Sequence, residues 1–440
     1  MTLWFFLQAL APMKVLLLNQ CFWPDVMATG QQLTDVACEL ADRGHEVTVI
    51  TGRRGYDDPK LLFPGHERWR NIEIFRVRSI AASKTSRWWR ALNFASFLLA
   101  CAFRLAFTRR QDVVVALTSP PLISWLASLF TRLKGGRLVF WVMDLNPDEA
   151  IAAGWLRADS ATAKFLAKLL RSSMQQAGKI VALDRFMKDR LLLKGISPDR
   201  IEVISPWSQD SVHFDQQGRE AFRRDHGLTG KFVVMYAGNH SPCHPLDTLL
   251  EAALRFAGNV EIAFCFVGGG SEQGKVKEFS AANKLKNIHC LPYQSQADLA
   301  GVLSAADLHV VVMGEAFAGI VHPCKIYNIL GIGTPFLYVG PKESHMGDII
   351  ASLNDSGSAI QTVHGRPDLV QQFISNAVRA RNGDNRFAAK QGSIRHGQSN
   401  LAGAFSKTKL LPRFIKEVEA IASEPGASTT ETPAAKFQSA

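Results

Sequence analysis

The chain is predicted to be an α/β protein of two halves, each built on its own parallel sheet. Three observations lead there. Apolar runs of strand length recur along the chain: KVLLLN from Lys14, HEVTVIT from His45, DVVVAL from Asp112. Runs apolar throughout belong to strands covered on both faces, as in parallel sheets. Stretches with helical spacing of apolar residues lie between them. The alternation loosens around Pro206 to Gln217, restarts at Lys231, and the 440 residues exceed what one core accommodates.

In chain order, MTLWFFLQALAP (1–12) is apolar but lacks a basic leading region and is too short to span a bilayer. It reads as an extension upstream of the real start at Met13. Lys14 to Asn19 is a buried strand. Gly30 stands just before a helix in which Leu33, Val36, Ala37 and Leu40 share a face, and Gly44 ends it. With the following strand this is a βαβ unit. It has no GxGxxG, and Thr51-Gly52-Arg53-Arg54 offers no acid to hold a ribose, which argues against a dinucleotide. Ser119-Pro120-Pro121 ends the strand from Asp112 and opens a helix.

A strand over Leu138 to Val142 delivers Asp144-Leu145-Asn146-Pro147-Asp148-Glu149 at its C-terminal end, where ligands collect in open α/β sheets. Asp144 is the candidate base or hydroxyl binder there, and Asp148 and Glu149 are expected to cap the next helix. Asp184 is an expected N-cap. In the second half, strands are expected at FVVMYAGN, Glu261–Val267, Ile288–Leu291 and Leu308–Val312, with Gly268-Gly269-Gly270 between the second strand and its helix. Past Arg379 the chain turns polar, Leu401 to Ile421 reads as a terminal helix, and the tail from Glu424 lacks the apolar content to fold.

Composition narrows the classes. Seven scattered Cys, none in a metal-binding spacing, fit a reducing compartment and no structural metal. The net charge of +11 allows nucleic acid, anionic lipid or phosphorylated substrates. Its placement decides among them. Between Ile74 and Gln111 there are eight basic residues (Arg76, Arg78, Lys84, Arg87, Arg90, Arg104, Arg109, Arg110) and no acid. Inside this stretch lies the most hydrophobic run, Trp88 to Phe107. Its 13 residues between Arg90 and Arg104 fall short of the roughly 20 that cross a bilayer. An interfacial helix with arginines reaching lipid phosphates fits better than an ordinary buried helix. A nucleic-acid surface is disfavoured, since no basic–aromatic platform, helix-turn-helix or zinc pattern is present.

The segment Gly319–Pro341, GIVHPCKIYNILGIGTPFLYVGP, reads as loop, short helix, turn and buried strand. Pro323 opens the helix, and Gly331 and Gly333 close it. Lys325 and Asn328 share a face. A Lys in a first turn opposes the helix dipole. Beside a loop bent towards a ligand it would join the free N–H groups of the helix start to bind a diphosphate; on an ordinary surface helix it would merely be solvated.

Taken together, KVLLLNQCFWPDVMATGQQLTDVACELADRGHEVTVITG, SPP, FWVMDLNPDEA, FVVMYAGN with LDTLLEAA, FVGGG, NIHCLPY and PCKIYNILGIGTP resemble family-4 glycosyltransferases. The nearest subgroup is the WbuB-like set of bacterial surface-polysaccharide enzymes. The resemblance runs from Met13 to about Ile421. It implies a GT-B fold, with two Rossmann-like domains facing across a cleft: an acceptor-side domain over 13–206 and a donor-side domain over 207–400. It implies a metal-independent transferase that retains anomeric configuration, with no cofactor and a nucleotide-sugar donor, UDP favoured over GDP. Lys325 matches the family's phosphate-contacting basic position. Gly238, Asn239, Gly268 and Gly269 match backbone that lines the nucleotide, and Gly30 the loop that closes on the donor. Asp144 lies near the residue beside the reacting sugar. Two features depart from the family. Ile320 and Asn328 occupy the positions of a Glu-x7-Glu pair, leaving Asn328 as a neutral ribose contact. Asn239-His240 stands where a second basic residue is common.

The expected partners are therefore a nucleotide-sugar, a polyprenyl-diphosphate-linked acceptor and an anionic membrane surface engaged through 76–110, at the inner face of the cytoplasmic membrane. Two other readings are a sugar-nucleotide 2-epimerase of the same fold, for which the carboxylate cluster is missing, and a basic non-enzymatic binding module.

Overall fold

A computed structural model describes residues 11–25, 27–55, 60–80, 87–209, 212–353, 358–383 and 397–423. Residues 1–10 of the expected leading extension, and the tail from residue 424, lie outside these residues.

The N-terminal half is an eight-stranded sheet: β1 (Lys14–Leu18), β2 (Glu46–Gly52), β3 (His66–Trp69), β4 (Ile72–Val77), β5 (Val113–Ala116), β6 (Arg137–Trp141), β7 (Lys179–Ala182) and β8 (Ile201–Val203). The order is β3-β4-β2-β1-β5-β6-β7-β8, parallel except for β3. The connecting helices are α1 (Ala28–Asp42), α2 (Arg87–Ala106), α3 (Ile123–Lys134), α4 (Asp148–Ala152), α5 (Ala161–Gln176) and α6 (Arg185–Leu193). The central strands β1 and β5 are buried along their apolar residues, as their composition demands.

The C-terminal half begins with α7 (Gln216–Asp225). It continues through β9 (Phe232–Ala237), α8 (Asp247–Arg255), β10 (Ile262–Val267), α9 (Gln273–Ala282), β11 (Ile288–Leu291), α10 (Leu299–Ser304), β12 (Leu308–Val312), α11 (Lys325–Ile332), β13 (Phe336–Val339), α12 (His345–Ser352), β14 (Ala359–Thr362) and α13 (Pro367–Gly383). Its six strands are all parallel, in the order β11-β10-β9-β12-β13-β14. The order reverses between β9 and β12, and the crevice at their C-terminal ends is the topological switch point of this sheet.

The chain then returns to the first half. The terminal helix, Lys407–Ser423, lays Leu410, Leu411, Phe414, Ile415, Val418 and Ile421 into the N-terminal core. Phe414 packs against Trp141 at 4.2 Å.

Several sequence expectations are corrected here. The hairpin of β3 and β4 draws Arg76 into the interior, where it pairs with Glu67 and donates to the Trp23 carbonyl. Arg104 lies 3.6 Å over the Phe75 ring. The basic stretch is therefore only partly a surface feature. Gly30 is the third residue of α1, not a residue before it. A Cβ there would meet the Cys21 and Phe22 backbone at 3.3 Å, so its small size serves packing against the loop after β1. Gly331 lies inside α11, close to the Val212 carbonyl, and Gly333 alone supplies the left-handed C-cap.

Candidate functional site

Lys325 sits in the first turn of α11, one residue beyond the N-cap Cys324. Its Nζ does not reach solvent. It lies 3.7 Å from the centre of the Tyr236 ring, against the Cα of Gly238, and has no hydrogen-bond partner. Burial pushes its pKa down to about 7. An orphaned buried cation is costly unless something anionic comes to it. This one stands at the C-terminal ends of β9 and β12, in the switch-point crevice.

The loops around it are shaped to admit a ligand's backbone contacts. Gly268 follows β10 with φ +132°, and a Cβ there would strike the Gly238 carbonyl. Only glycine lets the loop after β10 lie on the loop after β9. Gly269 accepts from His240 N–H at 2.7 Å, and Tyr293 covers its face. Asn239 is exposed, and its carbonyl accepts from the Tyr236 hydroxyl at 2.7 Å. Two imidazoles complete the lining. Burial, then the Lys325 charge, lowers His240 to about 4 and His244 to about 3, so both are neutral near pH 7. Asn328 lies one turn beyond Lys325 and is half-buried. Ile320 is buried in the core.

The N-terminal half faces this crevice through the loop after β6. Asp144 is partly exposed there, and its N–H donates to Thr118 Oγ1 at 3.3 Å. Burial, and then the charge of Glu149, raises its carboxyl to about 8. Cys324 feels both Asp144 and Lys325, so the two groups share one neighbourhood across the boundary. The expected capping by Asp148 and Glu149 is not found. Asp148 pairs with Lys194 at 2.6 Å, and Glu149 takes Asn146 Nδ2 at 2.9 Å and faces Cys243 Sγ at 3.5 Å. Both side chains have better partners than the free N–H groups of the short α4.

Sequence reasoning thus located Lys325, Gly238, Asn239, Gly268, Gly269 and Asp144 around one crevice. Gly30, in the first turn of α1, packs on the loop after β1, and its neighbour Gln31 reaches Gln296 of the C-terminal half at 3.1 Å. Sequence reasoning named His240 only as standing where a second basic residue is common, and it missed Tyr236 and His244, which lie within the quoted FVVMYAGN segment or just after it. The signal available was their position at the end of a central strand.

Two parallel α/β sheets facing each other across such a crevice define the GT-B fold, and solved structures agree. Anabaena HepE in complex with UDP-glucose matches with a TM-score of 0.68 at 15% identity over 93% of this chain and 100% of its own. WaaG, a glycosyltransferase involved in lipopolysaccharide biosynthesis, matches with a TM-score of 0.67 at 17% identity over 92% of this chain and 99% of its own. Residues 28–207 match the family model described as a glycosyl transferase 4-like domain. The chain is also related to an Escherichia coli (strain K12) protein named as the colanic acid biosynthesis glycosyl transferase WcaI. That match is 23% identical over 350 residues, 77% of this chain and 86% of the relative.

Proposed function

We propose that the chain transfers a sugar from a nucleoside diphosphate sugar, UDP-linked in preference to GDP-linked, to a lipid-linked saccharide in bacterial surface-polysaccharide assembly. The observation that carries this reading is the Lys325 ammonium, buried, unpartnered and aimed into the switch-point crevice. Similar proteins support the chemistry: WcaI is named for colanic acid biosynthesis, and HepE is seen in complex with UDP-glucose.

In the reaction the bond from the anomeric carbon to the donor's terminal phosphate oxygen breaks, and an acceptor hydroxyl oxygen bonds to that carbon. Charge develops on the departing diphosphate. Lys325 and the N–H groups of the loops after β9 and β10 neutralise it, a role that fixed dipoles and cations fill without reorganisation. Retention of configuration puts acceptor and leaving group on one face of the sugar, so the departing phosphate oxygen lies within reach of the acceptor's proton. Asp144 faces the sugar. With its pKa near 8 its carboxyl is mostly protonated at neutral pH and donates a hydrogen bond to a sugar hydroxyl.

The lipid-linked acceptor and a place at the inner face of the cytoplasmic membrane rest on α2 and α3. Ala91, Leu92, Ala95, Leu99, Phe103, Ala106 and Phe107 are exposed and share one side of the chain's most hydrophobic segment, with Leu129 and Leu133 of α3 also exposed. Exposed Arg109, Arg110 and Arg132 lie close to it in sequence. No helix among the described residues is long and apolar enough to cross a membrane. Lying in the interface, with arginines at lipid phosphates, is the arrangement such a face fits.

The test is thermal shift with UDP, GDP and ADP, without divalent metal, on wild type, Lys325→Ala and Asp144→Asn. UDP stabilises wild type and Asp144→Asn but not Lys325→Ala, whose affinity falls by about 1.5–3 kcal/mol for loss of a charge-assisted bond. Asp144→Asn then fails to release UDP from UDP-sugar in the presence of a lipid extract that supports wild-type turnover. A UDP response unchanged in Lys325→Ala refutes the donor assignment. Wild-type turnover by Asp144→Asn refutes the role of the carboxyl.

A further inference from the structure

A second buried polar cluster lies between the halves, behind the Lys325 crevice. Asp184 closes β7 and caps α6 through Met187 N–H at 2.8 Å, and its other oxygen meets His322 Nδ1 at 2.7 Å. His322 Nε2 lies 2.6 Å from the Tyr327 hydroxyl, and that hydroxyl 2.9 Å from His345 Nε2. All four side chains are buried. Burial alone would raise the Asp184 carboxyl, but the hydrogen bond and charge of His322, with His345 and the Met187 N–H, hold it below the usual carboxylate range. Asp184, His322 and His345 bring three ligand-type atoms within 4.8 Å of one another. The nitrogens and oxygens that would take an ion are already bonded to one another and to Tyr327, so the cluster is complete as a hydrogen-bond chain.

Its position gives it a task. Asp184 belongs to the N-terminal half and the other three residues to the C-terminal half. His322 precedes Lys325 by three residues, and Tyr327 follows it by two. The intervening backbone is held by the same N-terminal surface. Leu145 N–H donates to the Ile320 carbonyl at 3.0 Å, and Arg190 Nε to the Ala318 carbonyl at 2.8 Å. Gly319 lies so close to the Phe186 backbone that a Cβ would stand 2.7 Å from its carbonyl. Three contacts between the halves thus land on the segment that delivers Lys325, while Arg185 pairs with Asp348 of α12 at 2.7 Å beside them.

We propose that Asp184 and His322 are positioning residues for the donor site: the buried pair fastens the segment Ala318–Cys324 to the N-terminal half and thereby sets Lys325 against the loop after β9. The pair touches no substrate; it acts through Lys325. This goes beyond the reading above in naming what holds the cation in place, and rests on that reading for the donor.

The test uses the full chain as wild type, Asp184→Asn, His322→Phe, Lys325→Ala and the double variant Asp184→Asn/Lys325→Ala. Asn retains the cap of α6, so Asp184→Asn removes the carboxylate and leaves the helix start. Hydrogen exchange is read first, without ligand. Peptides covering 318–332 exchange at least tenfold faster in Asp184→Asn, while those of β10 keep wild-type protection. Unchanged exchange in 318–332 overturns the proposal, and so does equal loss of protection throughout both sheets, the mark of general destabilisation. UDP titration is read second. Asp184→Asn binds UDP about tenfold more weakly than wild type, and the double variant binds UDP no more weakly than Lys325→Ala alone. Additive losses overturn action through Lys325. Should wild type bind no UDP, the proposed donor fails while the exchange arm still decides the positioning role. Should His322→Phe not fold, Asp184→Asn carries the test alone.

Discussion

Lys325 concentrates the energetic argument at the level of a single residue. A Lys in the first turn opposes the helix dipole, and here its ammonium is also sealed against an aromatic ring and a glycine with no acceptor in reach. The folded protein gives up this proton near pH 7, the unfolded chain near 10.4. Between those values the unfolded chain binds more protons, so stability rises as pH rises through the window, and the full cost applies below pH 7. Lys325→Met keeps the length and drops the charge. Its melting temperature is expected to exceed wild type at pH 6–7, by an amount corresponding to about 1–3 kcal/mol. The two curves converge above about pH 10.4. Melting curves across pH check this, and a variant less stable than wild type at pH 6 would show that the ammonium already has a partner. A buried ammonium without a hydrogen-bond acceptor is the cost that the proposed diphosphate would offset.

Among the elements, α2 is the one whose sequence and surroundings disagree most with a water-soluble surface. Its exposed positions Leu99, Phe103 and Phe107 are each more than two-thirds exposed, as is Leu133 on α3. Exposed apolar faces of this extent mark interaction sites. Phe103→Glu with Leu133→Glu is expected to abolish flotation with vesicles containing anionic phospholipid at low salt. The melting temperature should stay near that of wild type, because exposed substitutions typically change stability by less than about 0.5 kcal/mol. Flotation equal to wild type would mean the face serves another partner. The glycine-shaped loops after β9 and β10 make the opposite case. There the family resemblance implies backbone that lines a ligand, and the structure holds two loops that only glycine lets lie together.

For the whole molecule, the terminal helix matters beyond its length. After the second sheet is complete, Lys407–Ser423 crosses back and packs on α1, β5 and β6 of the first. Phe414, fully buried between Trp141 and the core, is its anchor. Phe414→Ala should cost about 3–5 kcal/mol, the usual range for truncating a buried aromatic, and calorimetry should place the loss in the transition of the N-terminal half. A loss confined to the C-terminal half would contradict the packing. The crossover ties the two halves together at the back, as the Asp184–His322 pair does behind the crevice.

The sequence by itself determined the two-sheet α/β organisation, because fully buried parallel strands leave uninterrupted apolar runs and their connections leave helical periodicity. It marked Lys325, Asp144 and the glycine loops, because they follow strand ends at positions where chemistry and backbone approach meet. Tertiary structure alone decided which charges turn inward. Arg76 could be recognised as buried only once the β3–β4 hairpin was in place, since pairing with Glu67 depends on register and not on local composition. It took Asp148 and Glu149 from helix caps to Lys194 and Cys243. It also assembled the Asp184–His322–Tyr327–His345 chain from residues up to 161 positions apart by their numbers. Local patterns report periodicity and turn chemistry; partners distant in the chain are set by how the two sheets come together.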